Sequence, residues 1–290
     1  MKKFISILLA GAMAAAALTG CAKTPGGAAS GSTPLVLNEV AHSIFYAPQY
    51  AAIELGYFEE EGIDLTLVNG AGADKVMTAL ISGDAQIGFM GSEASIYVYQ
   101  EGSQDYAVNF AQLTQRAGYF LVGRQPEDNF KWENLKGKKV LGGRAGGMPQ
   151  MVFEYILKKH GLDPKTDLTI DQSINFGLTA AAFTSNDADY TVEFEPFATT
   201  LESEGSGTVV ASLGTESGYV PYTAYCARKS YMENNPELIQ KFTNAIQKGM
   251  DYVNSHSAEE IAKTIAPQFK ETPVDKIAII VGRYKDQDTW

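Results

Sequence analysis

Short apolar runs of strand length alternate with amphipathic helical stretches along most of this chain, and that alternation admits few folds. Residues 35–40 form an apolar run followed by a loop and Pro48, a residue suited to the first turn of a helix. Gly56 is a natural stop for that helix. Ile63, Leu65 and Leu67 then alternate with Asp64 and Thr66, the pattern of a half-buried strand. Val76, Met77, Leu80 and Ile81 make a helical stripe ending at Gly83, and 85–90 reads as another strand. Residues 139–141 are a strand running into a Gly-rich turn. The helix that follows carries Met151, Val152, Tyr155 and Ile156 on the face expected to be buried. Lys158, Lys159 and His160 close it before Gly161, where cations suit the negative end of the helix dipole. Residues 189–192 are strand-like and lead into Glu193-Phe194-Glu195-Pro196. The order predicts an α/β chain with mostly parallel sheets and helices on both faces.

The last third is helical. Asn235-Pro236-Glu237 opens a long helix with Leu238, Phe242, Ile246 and Met250 four apart, and further helices are expected at 258–266 and 273–285. A helical tail after two strand–helix units is expected to cross back onto the first of them.

The N-terminus has another character. Lys2 and Lys3 precede an apolar run from Phe4 to Leu18, closed by Leu18-Thr19-Gly20-Cys21. This is the build of an export signal, too short to cross a ~30 Å hydrocarbon layer comfortably as a helix. A Cys directly after a small residue at that point resembles a lipoprotein signal. It implies that 1–20 is removed, that Cys21 carries the lipid, and that acyl chains provide the membrane anchor. An ordinary signal peptide holding a Cys is the alternative. Residues 22–33 contain no large apolar side chain and read as a flexible tether. From Pro34 onward the chain is long enough for two lobes.

Charge and cysteine exclude several functions. The formal net charge of −11 argues against nucleic-acid partners. Cys21 and Cys226 are the two cysteines, so the folded part has no internal disulfide and no thiolate metal cluster. Cys226 lies in an apolar stretch and reads as a small buried hydrophobe. The three histidines, His42, His160 and His256, are far apart without ligand spacing, and no metal is expected. Gly70-Ala71-Gly72 follows a strand but has Lys75 where a dinucleotide loop needs its third glycine. The Gly142–Gly147 stretch lacks the Gly-Lys-Ser/Thr of a P-loop, and no Gly-x-Ser-x-Gly elbow occurs. No catalytic set and no cofactor is expected.

Binding residues are sought where strands run into helices, since open α/β sheets hold ligands beyond their carboxyl ends. Four loops qualify: 41–46 with Ser43, Phe45 and Tyr46; 69–72 with Asn69 and Gly70; 90–93 with Ser92 and Glu93; and 142–149 with Arg144, Gly146 and Gly147. Small residues there leave helix N-terminal N–H groups free for polar or anionic ligand groups. Tight turns alone would use the same glycines. Glu193 and Glu195, two apart, would share a face if extended.

Several motifs carry a family resemblance. Pro48 to Gly56 followed by Tyr57-Phe58-Glu59-Glu60-Glu61-Gly62-Ile63-Asp64-Leu65 resembles the signature of the solute-binding proteins of ABC importers for nitrate, sulfonates, taurine and thiamine pyrimidine precursors. Leu80-Ile81-Ser82-Gly83-Asp84-Ala85-Gln86-Ile87-Gly88, Leu135-Lys136-Gly137-Lys138-Lys139-Val140, Phe194-Glu195-Pro196 and Asn235-Pro236-Glu237-Leu238-Ile239 match it too. The resemblance implies a periplasmic-binding-protein-like fold of type II. It has two lobes with parallel-rich sheets, a hinge and a helical C-terminal segment. Lobe 1 would comprise 34–121 plus 226–290 and lobe 2 would comprise 122–225, with hinge strands near 120–124 and 222–228. The lobes of such proteins close on their ligand. The implied partners are a small-molecule solute and the permease and ATPase subunits of an importer. The protein would be monomeric and lipid-anchored on the extracytoplasmic face of the cell membrane. Eukaryotic pyrimidine-precursor synthases of this fold carry a cysteine-rich motif that is missing here, which removes support for an enzyme. Family members continue past the point matching Trp290, so the chain is expected to be cut short there.

The candidate loops also bear on the ligand. Anion receptors place Arg or Lys at the anion, and Arg144 is the cation of the loop set. Against it stand Glu93, Glu193 and Glu195, with Phe45, Tyr46, Tyr190, Phe194 and Tyr222 as aromatic candidates. Carboxylate acceptors among aromatic rings suit a flat heteroaromatic bearing amino groups, such as a thiamine pyrimidine precursor. In the resembling family the Glu of the Phe-Glu-Pro motif, here Glu195, plays that part. Nitrate, sulfonate or taurine is the alternative, since helix N-termini alone can hold them. A surface-anchored enzyme or a structural lipoprotein is the alternative of another class.

Overall fold

The computed structural model describes residues 31–143, 145–174 and 177–290. Cys21, the signal segment, most of the tether and Arg144 lie outside the described residues. Residues from Ser32 to Trp290 form one compact body, in which each of two sheets with the helices covering it makes one unit.

Two five-stranded sheets organise it. The first contains β1 (Thr33–Glu39), β2 (Ile63–Asn69), β3 (Ile87–Gly91) and β4 (Ala107–Thr114). The second contains β5 (Tyr119–Gly123), β6 (Lys139–Leu141), β7 (Thr169–Asp171), β8 (Tyr190–Phe194) and β9 (Thr208–Ser212). The chain then returns to the first sheet as β10 (Thr223–Arg228). The strand orders are β2-β1-β3-β10-β4 and β7-β6-β8-β5-β9. In both, three parallel strands meet one antiparallel strand that arrives from the other half of the chain: β10 runs against β3, and β5 against β8. The strands at 120–124 and 222–228 are therefore each a full member of a single sheet. The crossings fall just before them, at 115–118 and 218–222, a few residues ahead of the expected lobe boundaries.

The helices of the first unit are α1 (Ala47–Glu54), α2 (Tyr57–Glu60), α3 (Ala73–Ser82) and α4 (Glu93–Gln100). Pro48 occupies the first turn of α1 as expected. Gly56, at φ 75°, passes the chain into α2 instead of ending all helix there. Gly83, at φ 89°, ends α3. In the second unit come α5 (Met148–Lys159), α6 (Thr179–Ser185), α7 (Phe197–Ser203) and α8 (Leu213–Ser217). The buried face of α5 is Val152, Phe153, Ile156 and Leu157; Met151 and Tyr155 are exposed, which corrects the expected stripe by one position. Val152 with Ile156 and Phe153 with Leu157 make two adjacent rows at helical spacing, and these form the apolar stripe that meets the core.

The tail comprises α9 (Lys229–Asn234), α10 (Pro236–Ser255), α11 (Ala258–Ile265) and α12 (Val274–Asp286). α10 packs on α1 and α2, and α11 on α1, so the expected return to the first unit holds. Ser257 and Glu260 form a capping box that starts α11. α12 and the residue after it go further and bind both sides: Lys285 Nζ donates to Val253 O of α10 at 2.8 Å, and Ser212 Oγ of β9 donates to Gln287 Oε1 at 2.7 Å. Cys226 is buried in the first sheet, and burial pushes its thiol up to about 12.

Candidate functional site

The carboxyl ends of β1, β2, β3, β6 and β8 all open toward one cavity of about 90 Å³. Among the proposed binding residues, Ser43, Phe45, Tyr46, Glu93, Gly147 and Tyr222 line it.

The first wall is the turn after β1. Ser43 caps a one-turn helix, its Oγ accepting from Phe45 N at 3.3 Å and donating to the Glu195 carbonyl at 3.4 Å. That second bond links the turn to the end of β8. Phe45 is packed edge-on against Tyr222, with ring centres 5.8 Å apart. A Cβ on Gly118 would stand 2.7 Å from the Phe45 ring, so the crossing between the sheets needs glycine there. Tyr46 bonds to Thr223, and burial raises its phenol above the usual range.

Glu93 supplies the acidic wall. It is buried at the start of α4, where a carboxylate suits the positive helix end. Its Oε1 accepts from Met148 N at the start of α5, at 3.2 Å. A carboxylate of the first unit thus sits on a helix N-terminus of the second. A Cβ on Gly91 would come 2.1 Å from Glu93 Oε2, so glycine lets the side chain fold back beside its own strand. Tyr119 and Phe194, 5.8 Å apart, form the aromatic side contributed by β5 and β8. The described lining contains no Lys, Arg or His.

The other proposed residues serve the frame. Asn69 Oδ1 accepts from Ala71 N at 2.9 Å, and a Cβ on Gly70 would meet Asn38 Oδ1 at 2.6 Å; both hold a turn whose next residues, Ala71 to Ala73, reach the cavity. Ser92 Oγ donates to Pro221 O at 2.7 Å. Gly146 N donates to Gln150 Oε1 at 2.7 Å and lies off the cavity. The Tyr190 hydroxyl donates to Glu127.

The two carboxylates of the Phe-Glu-Pro region need correction. Glu195 is fully buried and its carboxylate is used internally: Oε1 takes Arg283 Nη1 at 2.8 Å and Thr199 Oγ1 at 2.9 Å, and Oε2 takes Thr199 N at 2.9 Å. Only its backbone carbonyl approaches the cavity, through Ser43. Glu193 points elsewhere, receiving Thr179 Oγ1 at 2.9 Å and Thr191 Oγ1 at 2.6 Å. Desolvation raises its carboxyl to about 7, against the two hydroxyls that lower it. Phe194, between them, faces the cavity, because successive side chains on a strand point to opposite faces.

Sequence reasoning also passed over a buried network under the first wall. Glu39, fully buried at the end of β1, accepts from Gln49 Nε2 at 2.7 Å and the Tyr50 hydroxyl at 2.8 Å, and meets His42 Nδ1 at 2.7 Å. The Tyr225 hydroxyl donates to Gln49 Oε1 at 2.9 Å. The signal was a Glu closing an apolar strand with a His three residues on. Gly118, Tyr119 and Thr223 gave no comparable signal, because they sit at joints between elements.

With this geometry in view, comparison with known proteins is informative. The chain is 47% identical over 258 residues to the candidate binding protein YtlA of Bacillus subtilis (strain 168), covering 89% of this chain and 77% of that protein. It is 24% identical to a 4-amino-5-hydroxymethyl-2-methylpyrimidine phosphate synthase of Saccharomyces cerevisiae (strain ATCC 204508 / S288c), over 72% of this chain and 63% of the yeast protein. In structure it is similar to the periplasmic aliphatic sulphonate binding protein SsuA of Escherichia coli, with TM-score 0.71, 18% identity, and coverage of 88% and 83%. The fold is that of the periplasmic binding proteins. Residues 44–260 match the family described as NMT1/THI5 like, and the chain belongs to that family.

Proposed function

We propose that the protein is the solute receptor of an ABC importer and captures a small, flat, amino-bearing heteroaromatic, of the thiamine pyrimidine precursor class, between its two sheets. The observation that carries the reading is Glu93: a buried carboxylate on a wall that also carries the rings of Phe45, Tyr46, Tyr119, Phe194 and Tyr222. Rings stack on rings, and a carboxylate accepts from an amino group. The yeast relative is a synthase of an aminopyrimidine phosphate, and that ring has the same chemistry.

The nitrate, sulfonate or taurine reading has its own support in the similarity to a sulphonate-binding protein and in the α5 N-terminus at the cavity. That N-terminus, however, already holds Glu93, which repels a second anion. Binding without turnover fits the receptor role. The remaining parts of the proposal are a lipid on Cys21, an extracytoplasmic location, a monomeric state, permease and ATPase partners, and closure of two lobes about 115–118 and 218–222.

Isothermal titration of the purified protein with 4-amino-5-hydroxymethyl-2-methylpyrimidine, methanesulfonate, taurine and nitrate tests the ligand class. Saturable binding of the pyrimidine alone is expected; tight binding of an anion with none for the pyrimidine overturns the reading. For the anchor, Cys21→Ser should release the processed protein from membranes, and retention would refute it.

A further inference from the structure

We propose that Tyr222 is a specificity-determining residue whose phenolic hydroxyl forms a direct hydrogen bond to the captured solute. The inference rests on the capture reading above and names the group that recognises the solute's ring edge.

Tyr222 lies on the cavity wall immediately before β10 and is 5% exposed. Its hydroxyl oxygen is buried and has no hydrogen-bond partner among the described residues. Neighbouring buried tyrosines differ. Tyr50 reaches Glu39, Tyr225 reaches Gln49, Tyr284 reaches the Gly118 carbonyl, and Tyr46 bonds to Thr223. Buried hydroxyls are as a rule satisfied, and one that is not calls for a reason. The ring itself is well held: Tyr222 N donates to Thr114 O at 3.1 Å, and the ring stands edge-on to Phe45 at 82°. The hydroxyl is thus fixed in position and unspent.

Its chemistry complements Glu93. Burial holds the phenol far above its usual range, with Tyr119, Tyr46 and Glu93 adding to the effect, so it stays an O–H donor across the neutral range. A carboxylate accepts only, whereas a phenol donates and accepts. An aminopyrimidine presents an N–H donor beside a ring-nitrogen acceptor. Glu93 suits the first and Tyr222 the second. A carboxylate alone would accept any amine; the added O–H donor selects those with an acceptor alongside.

The test is titration of wild type and Tyr222→Phe with 4-amino-5-hydroxymethyl-2-methylpyrimidine, methanesulfonate and nitrate, together with melting of the ligand-free proteins. Tyr222→Phe should bind the pyrimidine about 5- to 15-fold more weakly, the effect of one neutral hydrogen bond. Its ligand-free melting temperature should be unchanged or higher, because the atom removed had no partner. A hydroxyl with a structural role alone would instead lower the melting temperature and leave the affinity of the folded protein intact, which would overturn the proposal. If wild type binds an anion and not the pyrimidine, the capture reading fails by itself. Tyr222 is then judged on that anion, a 5- to 15-fold loss upholding it and no loss overturning it. A folded wild type that takes none of the three overturns both.

Discussion

Glu195 Oε1 lies 2.8 Å from Arg283 Nη1, and through this pair the turn after β8 is fastened to the last helix of the chain. Arg283 also reaches Glu202, so one guanidinium serves two carboxylates from neighbouring positions on the second unit. Removing one member of a buried pair leaves the other charge uncompensated, which costs about 3–5 kcal/mol. Arg283→Met should therefore lower stability by about 3 kcal/mol in urea unfolding. Glu195→Gln should reduce stability while leaving solute affinity within about twofold. A folded Glu195→Gln protein that has lost its affinity would show the carboxylate reaching the solute after all.

Glu93 has the reverse expectation. Glu93→Gln keeps the size of the side chain and removes its charge, so the loss is of a charged-group hydrogen bond, about 1.5–3 kcal/mol or roughly 10- to 150-fold in affinity for the pyrimidine. Isothermal titration reads it directly. Equal affinity in the variant would remove Glu93 from the recognition set.

Glu193 sets a dependence on pH. Its carboxyl is raised to about 7 in the folded chain because burial disfavours the charge. A raised acid favours folding fully below its unfolded value near 4.5 and loses that contribution as pH rises through 7. Over that window stability should fall by about 3 kcal/mol, and Glu193→Gln should flatten the profile. Thermal melts from pH 4.5 to 8 check it; a slope identical in the variant would assign the effect elsewhere.

His42 acts in a higher window. Its ring meets the Glu39 carboxylate through Nδ1 and the Gln268 carbonyl through Nε2 at 2.9 Å, two acceptors that only a doubly protonated ring can serve. The hydrogen bond to Glu39 is the main reason its value is raised; burial opposes it. The associated stability is complete below about 6.5 and is lost as pH rises through the raised value. His42→Gln should remove that part of the slope above pH 6.5, measured by the same melts.

Gly249 on α10 faces α1 so closely that a Cβ would come 2.2 Å from Pro48 O and 3.0 Å from Ala52 Cβ. Backbone cannot swing aside as a side chain does. Gly249→Ala should cost about 1–3 kcal/mol by overpacking, in spite of alanine's better helix propensity. Urea unfolding with an unchanged m-value is the expected record, and a stabilised variant would contradict the close approach.

Periodicity exposed the alternation of strands and helices because side chains that face a core recur at 2 or 3.6 residues. That was enough for β1, β2, α3 and the start of α10. It misjudged α5, where Met151 and Tyr155 are apolar yet exposed, because composition does not say which of two adjacent rows meets the sheet. Loops at strand ends led to Ser43, Phe45, Tyr46, Glu93 and Gly147 at the cavity. Glu195 misled for a physical reason: its partner Arg283 is 88 residues away, and only the folded chain shows that α12 reaches it. Gly118 and Thr223 were invisible for the same reason, being placed by the crossings between sheets.

The size of the cavity has a consequence for affinity. About 90 Å³ is less than the roughly 150 Å³ that accommodates benzene in an apolar protein interior, so the proposed capture of a substituted six-membered ring requires the walls to part. The contacts that span the cavity's mouth include Ser43 Oγ to the Glu195 carbonyl, Glu93 to Met148 N, and the Tyr97 hydroxyl to Met151 Sδ at 3.7 Å. Apparent affinity then scales with the fraction of molecules in which these contacts are undone. Tyr97 and Met151, which do not line the pocket, would thereby bear on the affinity of the proposed receptor without touching its solute.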